Sequence, residues 1–235
     1  MHKIPDNPTT INTDALLTNL QRVKKQIAQS AKHAGRPAES VNVLAVSKTK
    51  PAAMIKTAFE AGQSDFGENY LGEALEKMEA LAELPLIWHF IGPIQSNKTR
   101  AIAEHFHWVH SVERLKVAER LNQQRPESLA PLQVCLQINI DGESSKSGCT
   151  PEQALALAQS IQNMTKLKLR GLMCIPKPGN TQAFAELARL KDDLESQLGA
   201  RLDTLSMGMS ADLDEAIAAG ATLVRVGTAI FGGRT

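Results

Sequence analysis

Eight short apolar runs, separated by stretches of helical periodicity, restrict the fold of this 235-residue chain more than any other feature. The runs are Val43–Ser47, Asp65–Gly67, Leu86–Ile91, Trp108–Val112, Leu132–Ile140, Leu169–Ile175, Leu202–Met207 and Leu223–Gly227. Short continuous apolar runs of this kind are what strands of a parallel sheet covered on both faces look like. Between them lie helical patterns at Met54–Ala61, Leu71–Glu83, Glu113–Gln124, Pro151–Asn163, Ala183–Leu198 and Ser210–Ala219, with a weaker one at Asn97–His105. Ahead of the first strand, Leu16, Leu17, Leu20, Val23, Ile27, Ala28 and Ala31 recur at helical spacing from Asn12 to Ala34, and Gly35 and Pro37 supply the stop.

Strict alternation of strand and helix predicts a single α/β domain, a (β/α)8 barrel with an additional N-terminal helix. The length sits near the ~250 residues typical of that fold. An open doubly wound sheet is the other arrangement with this alternation, but neither G-x-G-x-x-G nor a Walker loop follows the first strand. Residues 1–11 are expected to be a loosely held tail, and residues 12–235 the barrel. Glu60-Ala61-Gly62 and Ala219-Gly220-Ala221 look alike, each glycine suiting a left-handed helix cap before a strand.

Charge narrows the partners. With 26 Lys+Arg against 25 Asp+Glu, the net charge is +1, which leaves no basic stripe for nucleic acid. No apolar run approaches membrane-spanning length, and Met1 to Pro8 lacks the apolar core of a signal peptide. Three cysteines, Cys135, Cys149 and Cys174, have no CxxC spacing, and Cys135 and Cys174 lie in apolar runs as buried thiols would. These features point to a reducing, cytoplasmic setting.

In a barrel of this type the chemistry gathers at the carboxyl ends of the strands. The first strand ends by presenting Lys48. Desolvation there would favour the neutral amine that forms a Schiff base, although a surface lysine in a strand–helix loop has the same sequence. The second strand leads into Gly67-Glu68-Asn69-Tyr70, the third carries His89, and the fourth carries His110. The last two strands lead into Ser206-Met207-Gly208-Met209-Ser210 and Arg225-Val226-Gly227-Thr228. Barrel phosphate sites are often built from these two loops. Gly208 would let backbone approach a ligand, and Ser210, at an expected helix start, would face an anion with hydroxyl and N–H groups. Ser210 acting only as a helix cap, with Asp212 answering the helix dipole, fits the same residues.

A lysine opposite a phosphate cup suits two chemistries: an aldolase acting on a phosphorylated substrate, or a binder of pyridoxal phosphate. Arg225, inside a short apolar strand, is expected to point inward, where it could hydrogen-bond a pyridine nitrogen and keep it unprotonated. His105, His107 and His110 are close in sequence but lack metal-site spacing. Gly142 to Gly148, around Lys146, reads either as a lid that contacts an anion or as a solvated loop.

Ala45-Val46-Ser47-Lys48, Phe66-Gly67-Glu68-Asn69-Tyr70, Trp88 to Lys98, His110-Ser111-Val112, Lys146-Ser147-Gly148, Gly171-Leu172-Met173, Ser206 to Asp212 and Val224 to Gly232 together resemble the pyridoxal phosphate homeostasis proteins, the YggS-like family. The resemblance runs from the first helix to Gly232. It implies a barrel like the N-terminal domain of alanine racemases and a Schiff base at Lys48. It also implies cofactor contacts among Asn69, Met209, Ser210, Arg225, Gly227 and Thr228, and no metal. The implied role is holding, buffering and delivering pyridoxal 5′-phosphate to apo-enzymes that use it, by a cytoplasmic monomer without turnover. Racemases add a β domain that supplies a second base, and this chain is expected to end with its barrel. A racemase- or decarboxylase-type enzyme or a Schiff-base aldolase is the alternative; an inward carboxylate near Lys48 would favour it, and Glu68, at the end of the neighbouring strand, is the candidate. After Tyr70 the family usually has a small residue and glutamine, where this chain has Leu71-Gly72, and it stops at Arg234-Thr235 where relatives often continue.

Overall fold

All eight expected strands form, and they close on themselves. The computed structural model describes residues 13–143 and 146–233, so the expected tail lies outside the described residues. The strands are β1 (Asn42–Val46), β2 (Asp65–Glu68), β3 (Ile87–Phe90), β4 (Trp108–Val112), β5 (Leu132–Gln137), β6 (Leu167–Met173), β7 (Thr204–Ser206) and β8 (Leu223–Val226). Each pairs in parallel with the next, and β8 returns to β1 with Asn42 opposite Leu223 and Ala45 opposite Val226.

The helices are α1 (Thr13–His33), α2 (Ala52–Glu60), α3 (Leu71–Ala80), α4 (Thr99–His105), α5 (Leu115–Gln124), α6 (Pro151–Gln162), α7 (Gln182–Leu198), α8 (Leu213–Ala218) and α9 (Thr228–Phe231). In α1, Leu16, Leu20, Val23, Ile27 and Ala31 form one buried face. Asp14 in its first turn and Lys32 and His33 in its last complement the helix dipole. This helix packs on α2, α8 and α9, over the seam where β8 meets β1. The helix after β8 has only four residues and cannot cover that seam alone, so α1 supplies the missing layer. Burial of Leu16, Leu20, Val23 and Ile27 contributes roughly 6–12 kcal/mol before the entropy of ordering the helix is set against it.

Gly62 and Gly220 adopt φ of +80° and +105°, the left-handed conformations expected at the two similar helix exits. Element ends shift by one to three residues at several places, and three differences from the sequence reading have identifiable reasons. β5 ends at Gln137 instead of Ile140 because the chain folds back, Asn139 N–H donating to Cys149 O and Cys149 N–H to Gln137 O. α8 begins at Leu213, with Asp212 as its cap, instead of at Ser210. α9 was not expected at all. Its four residues are too few for periodicity to register, although Gly227 before it and Gly232 at φ +79° after it mark both ends.

Candidate functional site

Lys48 lies just past the carboxyl end of β1, half-buried, and its amine has no hydrogen-bond or ion-pair partner among the described residues. The backbone on either side is held by α3 and β2. Lys77 Nζ donates to Ser47 O at 2.8 Å and to Glu68 Oε1 at 2.7 Å, and Ser47 Oγ donates to the same Glu68 oxygen at 2.6 Å. Glu73 Oε1 accepts from Lys77 Nζ and from Thr49 N–H, each at 2.5 Å. Thr49 has a φ of +64°, the left-handed conformation that costs a non-glycine residue about 1–3 kcal/mol. The Glu73 carboxylate stabilises that conformation. Glu68, Glu73 and Lys77 thus fix the turn that presents Lys48.

The sequence reading missed this arrangement, although Glu73 and Lys77 stand at the i, i+4 spacing that makes helix neighbours. Glu68 is fully buried, and burial raises its carboxyl above the usual range, against the opposing pull of Lys77 and Ser47. Lys50, the other lysine of this turn, is buried and donates from Nζ to Gly233 O, which ties the chain end to the barrel.

Arg225 does point into the barrel. It is 5% exposed, with Nη1 donating to Ser206 O at 2.5 Å and Ser206 Oγ at 2.9 Å, and Nη2 donating to Cys174 O at 2.8 Å. Burial lowers its pKa from the ordinary arginine value. Gly227 follows β8 so close to β1 that a Cβ there would meet Val46 O at 3.2 Å. Thr228 is exposed and opens α9, whose first N–H groups lack intrahelical acceptors. Ser210 and Met209 are also exposed.

Two details of the β7 loop correct the sequence reading. The Met209 N–H is already donated to Asp212 Oδ1 at 2.6 Å, so that amide is not open to an anion. Gly208 has φ +90°, and a Cβ on it would lie 2.5 Å from Ala216 Cβ, so packing on α8 is what demands glycine there. Asn69, just past β2, keeps Oδ1 buried without a hydrogen-bond partner among the described residues, a group a ligand donor would satisfy. Lys48, Asn69, Met209, Ser210, Arg225, Gly227 and Thr228 therefore all belong to β1, β2, β7 and β8 or the loops at their carboxyl ends, which are consecutive around the closed barrel.

The three nearby histidines do not gather. His105 is exposed, His107 Nδ1 accepts the Trp88 N–H at the start of β4, and His110 is buried inside the barrel. Lys146 is bridged by Asp141 at 2.9 Å and Glu143 at 3.4 Å, while Ser144 and Ser145 of the same loop lie outside the described residues. All three cysteines are free and buried, with burial pushing the Cys135 and Cys174 thiols up to about 12 and Cys149 to about 11.

His89 and His110 are held below the ordinary histidine pKa, first by burial; Asp65 pulls His89 the other way without overcoming it, and His89 and Arg225 lower His110 further. Below pH ~6.5 the unfolded chain takes up protons that these folded rings refuse. The stability contributed by these neutral rings is therefore full above that pH and is lost as pH falls through it, at no more than about 1.4 kcal/mol per pH unit for each ring. Urea unfolding at several pH values between 7.5 and 5 should show stability falling with pH, and His110→Asn should make that fall shallower, with His89 and His107, which burial also holds low, accounting for the rest. An unchanged slope in the variant would remove His110 from the account.

Comparison with known proteins fits this geometry. The family described as alanine racemase, N-terminal domain, matches residues 11–235. A Pseudomonas aeruginosa protein named pyridoxal phosphate homeostasis protein is 59% identical over 218 residues, covering 92% of this chain and 94% of that one. An Escherichia coli protein of the same name is 49% identical, covering 92% and 95%. Among solved structures, PipY of Synechococcus elongatus, described with PLP bound, superposes with a TM-score of 0.81 at 37% identity, covering 92% of this chain and all of that one. Alanine racemase from Corynebacterium glutamicum shares the barrel, with a TM-score of 0.70 at 16% identity, but the match spans only 60% of its length. The chain belongs to the pyridoxal phosphate homeostasis proteins, within the family of the alanine racemase N-terminal domain.

Proposed function

We propose that this protein binds pyridoxal 5′-phosphate at the carboxyl end of its barrel and holds, buffers and delivers it, without turning over a substrate. The observation that carries the reading is Lys48: a half-buried amine, without a partner among the described residues, on a turn fixed by Glu68, Glu73 and Lys77. Around it, the residues fit the group. Asn69 leaves a buried oxygen unsatisfied among the described residues, Arg225 brings a guanidinium into the barrel interior, and Ser210, Gly227 and Thr228 provide hydroxyls and backbone near the ends of β7 and β8. Met209 takes part through its exposed side chain, since its amide is engaged by Asp212.

When bound, the cofactor supplies an aldehyde that condenses with an amine and a ring that can accept electrons. Lys48 offers the amine. Arg225 donates toward the ring nitrogen, and a cation there disfavours protonation of that nitrogen, which weakens the ring as an electron sink. Ser210, Gly227 and Thr228 hold the phosphate. The two carboxylates at Lys48's turn both serve that turn: Glu68 is bound through Oε1 to Lys77 and Ser47, and Glu73 through Oε1 to Lys77 and the Thr49 N–H. Recipients would be apo-enzymes that use the same cofactor. The three buried free thiols fit a reducing, cytoplasmic setting, and the proposed working form is a monomer.

The test treats purified protein with pyridoxal phosphate and borohydride, maps the modified peptide, and assays alanine and serine for racemisation and transamination. A single label on Lys48 and no turnover above the Lys48→Ala background are expected. Sustained turnover that disappears in Lys48→Ala would establish an enzyme instead.

A further inference from the structure

A hydrogen-bonded chain of side chains, all buried except the half-buried Asp65 at its far end, crosses the barrel interior from Arg225. Ser206 Oγ, which accepts from Arg225 Nη1 at 2.9 Å, lies 2.8 Å from His110 Nδ1. His110 Nε2 lies 2.9 Å from His89 Nδ1, and His89 Nε2 lies 3.0 Å from Asp65 Oδ1. Ser206 and His110 are fully buried, His89 is 1% exposed and Arg225 is 5% exposed. The five residues come from β8, β7, β4, β3 and β2, and Asp65 lines a cavity of about 460 Å³ with Asn42, Trp108, Arg170 and Asp203. Barrel interiors are ordinarily filled by branched apolar side chains, so a polar line through this one asks for a reason.

The two ends fix the sense of every bond. A guanidinium only donates and a carboxylate only accepts. Ser206 Oγ accepts from Arg225 and keeps one proton to give, and a chain that donates onward to Asp65 takes that proton at His110 Nδ1. With Nδ1 an acceptor, neutral His110 carries its proton on Nε2 and donates to His89 Nδ1. His89 then carries its own proton on Nε2 and donates to Asp65. The opposite sense would set a bare His89 nitrogen against the Asp65 carboxylate, an unpaired contact that is costly where no water competes. Burial keeps both rings neutral, which the chain requires.

We propose that Ser206, His110 and His89 are positioning residues for Arg225, forming a one-directional hydrogen-bonded chain anchored on Asp65 that holds the guanidinium in register with the ring nitrogen of the bound cofactor. The function of the chain rests on the pyridoxal phosphate reading given above; its existence does not. Arg225 keeps Ser206 O and Cys174 O when the Ser206 hydroxyl is removed, so Ser206→Ala frees the guanidinium to shift without stripping its backbone partners.

Two measurements on the full chain test this. In the cofactor-free protein, nitrogen-15 NMR of the histidines should show both His89 and His110 protonated on Nε2 alone. Asp65→Ala should scramble the proton position in both rings, and Asp65→Asn, which keeps an acceptor, should restore it. Proton on Nδ1 of either ring in the wild type would overturn the chain, whatever the protein binds. In the second measurement, Ser206→Ala should weaken pyridoxal phosphate about 3- to 10-fold, the scale of one hydrogen bond. The same variant should leave affinity unchanged for an analogue whose ring nitrogen is replaced by carbon. Equal loss for both ligands, or no loss for either, would overturn the positioning role while leaving cofactor binding intact. Failure of wild type to bind pyridoxal phosphate would instead count against the cofactor reading, with the NMR result still deciding the chain.

Discussion

Lys48→Ala is expected to abolish covalent attachment of pyridoxal phosphate while leaving the barrel folded. The amine makes no hydrogen bond or ion pair among the described residues, so its loss leaves no partner unsatisfied. The turn around it is held instead by Ser47 O, Ser47 Oγ and Thr49 N–H, through Lys77, Glu68 and Glu73, and all three contacts survive the substitution. Unfolding free energy should therefore stay within about 0.5 kcal/mol of wild type, as for substitutions outside such networks. The check is the visible spectrum of variant and wild type with cofactor, before and after borohydride, followed by peptide mapping. Labelling of Lys50 in the wild type would show that the wrong lysine has been chosen. The geometry disfavours that result, because Lys50 is buried and already donates to Gly233 O.

The second large effect concerns the phosphate. Removing both hydroxyls of the proposed cup, Ser210→Ala with Thr228→Val, should weaken pyridoxal phosphate about 10- to 1000-fold. A phosphate carries about two negative charges, and each charged hydrogen bond is worth roughly 1.5–3 kcal/mol. Both side chains are exposed, so the fold should tolerate the change. Unphosphorylated pyridoxal, which keeps the aldehyde, should bind wild type poorly and lose little further in the double variant. Equilibrium titration of both ligands against both proteins decides the matter. If pyridoxal binds nearly as well as its phosphate, or the double variant loses nothing, the phosphate is held elsewhere. Because the Met209 N–H is engaged by Asp212, the hydroxyls and the start of α9 carry more of this interaction than the β7 loop backbone does.

How much of the protein was legible in its sequence follows from the range of the interactions involved. The strands and most helices register locally, because side-chain direction repeats every two residues in a strand and every 3.6 in a helix. Lys48 at the end of an apolar run and the glycines at Gly62 and Gly220 are equally local signals, and they stand where they were expected. Arg225 pointing inward followed from the apolar character of its strand, and its burial agrees. The start of α8 was misplaced by three residues because Ser210 and Asp212 are both good helix caps, and only packing of Leu213 and Ala216 into the core selects between them. Serine and aspartate are interchangeable at that level of reading.

What the chain does beyond those local facts was decided by closure. His89 and His110 are 21 residues apart, and His110 and Ser206 are 96 apart, yet each pair is hydrogen-bonded inside the barrel. Glu68 and Lys77 meet Ser47 from 21 and 30 residues away to fix the lysine's turn. Nothing in the spacing of these residues announces the contacts. The sequence by itself determined the kind of elements, their order and the lysine at the end of the first strand, since all of these depend on neighbours along the chain. The tertiary structure alone decided which polar side chains share the interior, because strand register and the joining of β8 to β1 set every distance across the barrel.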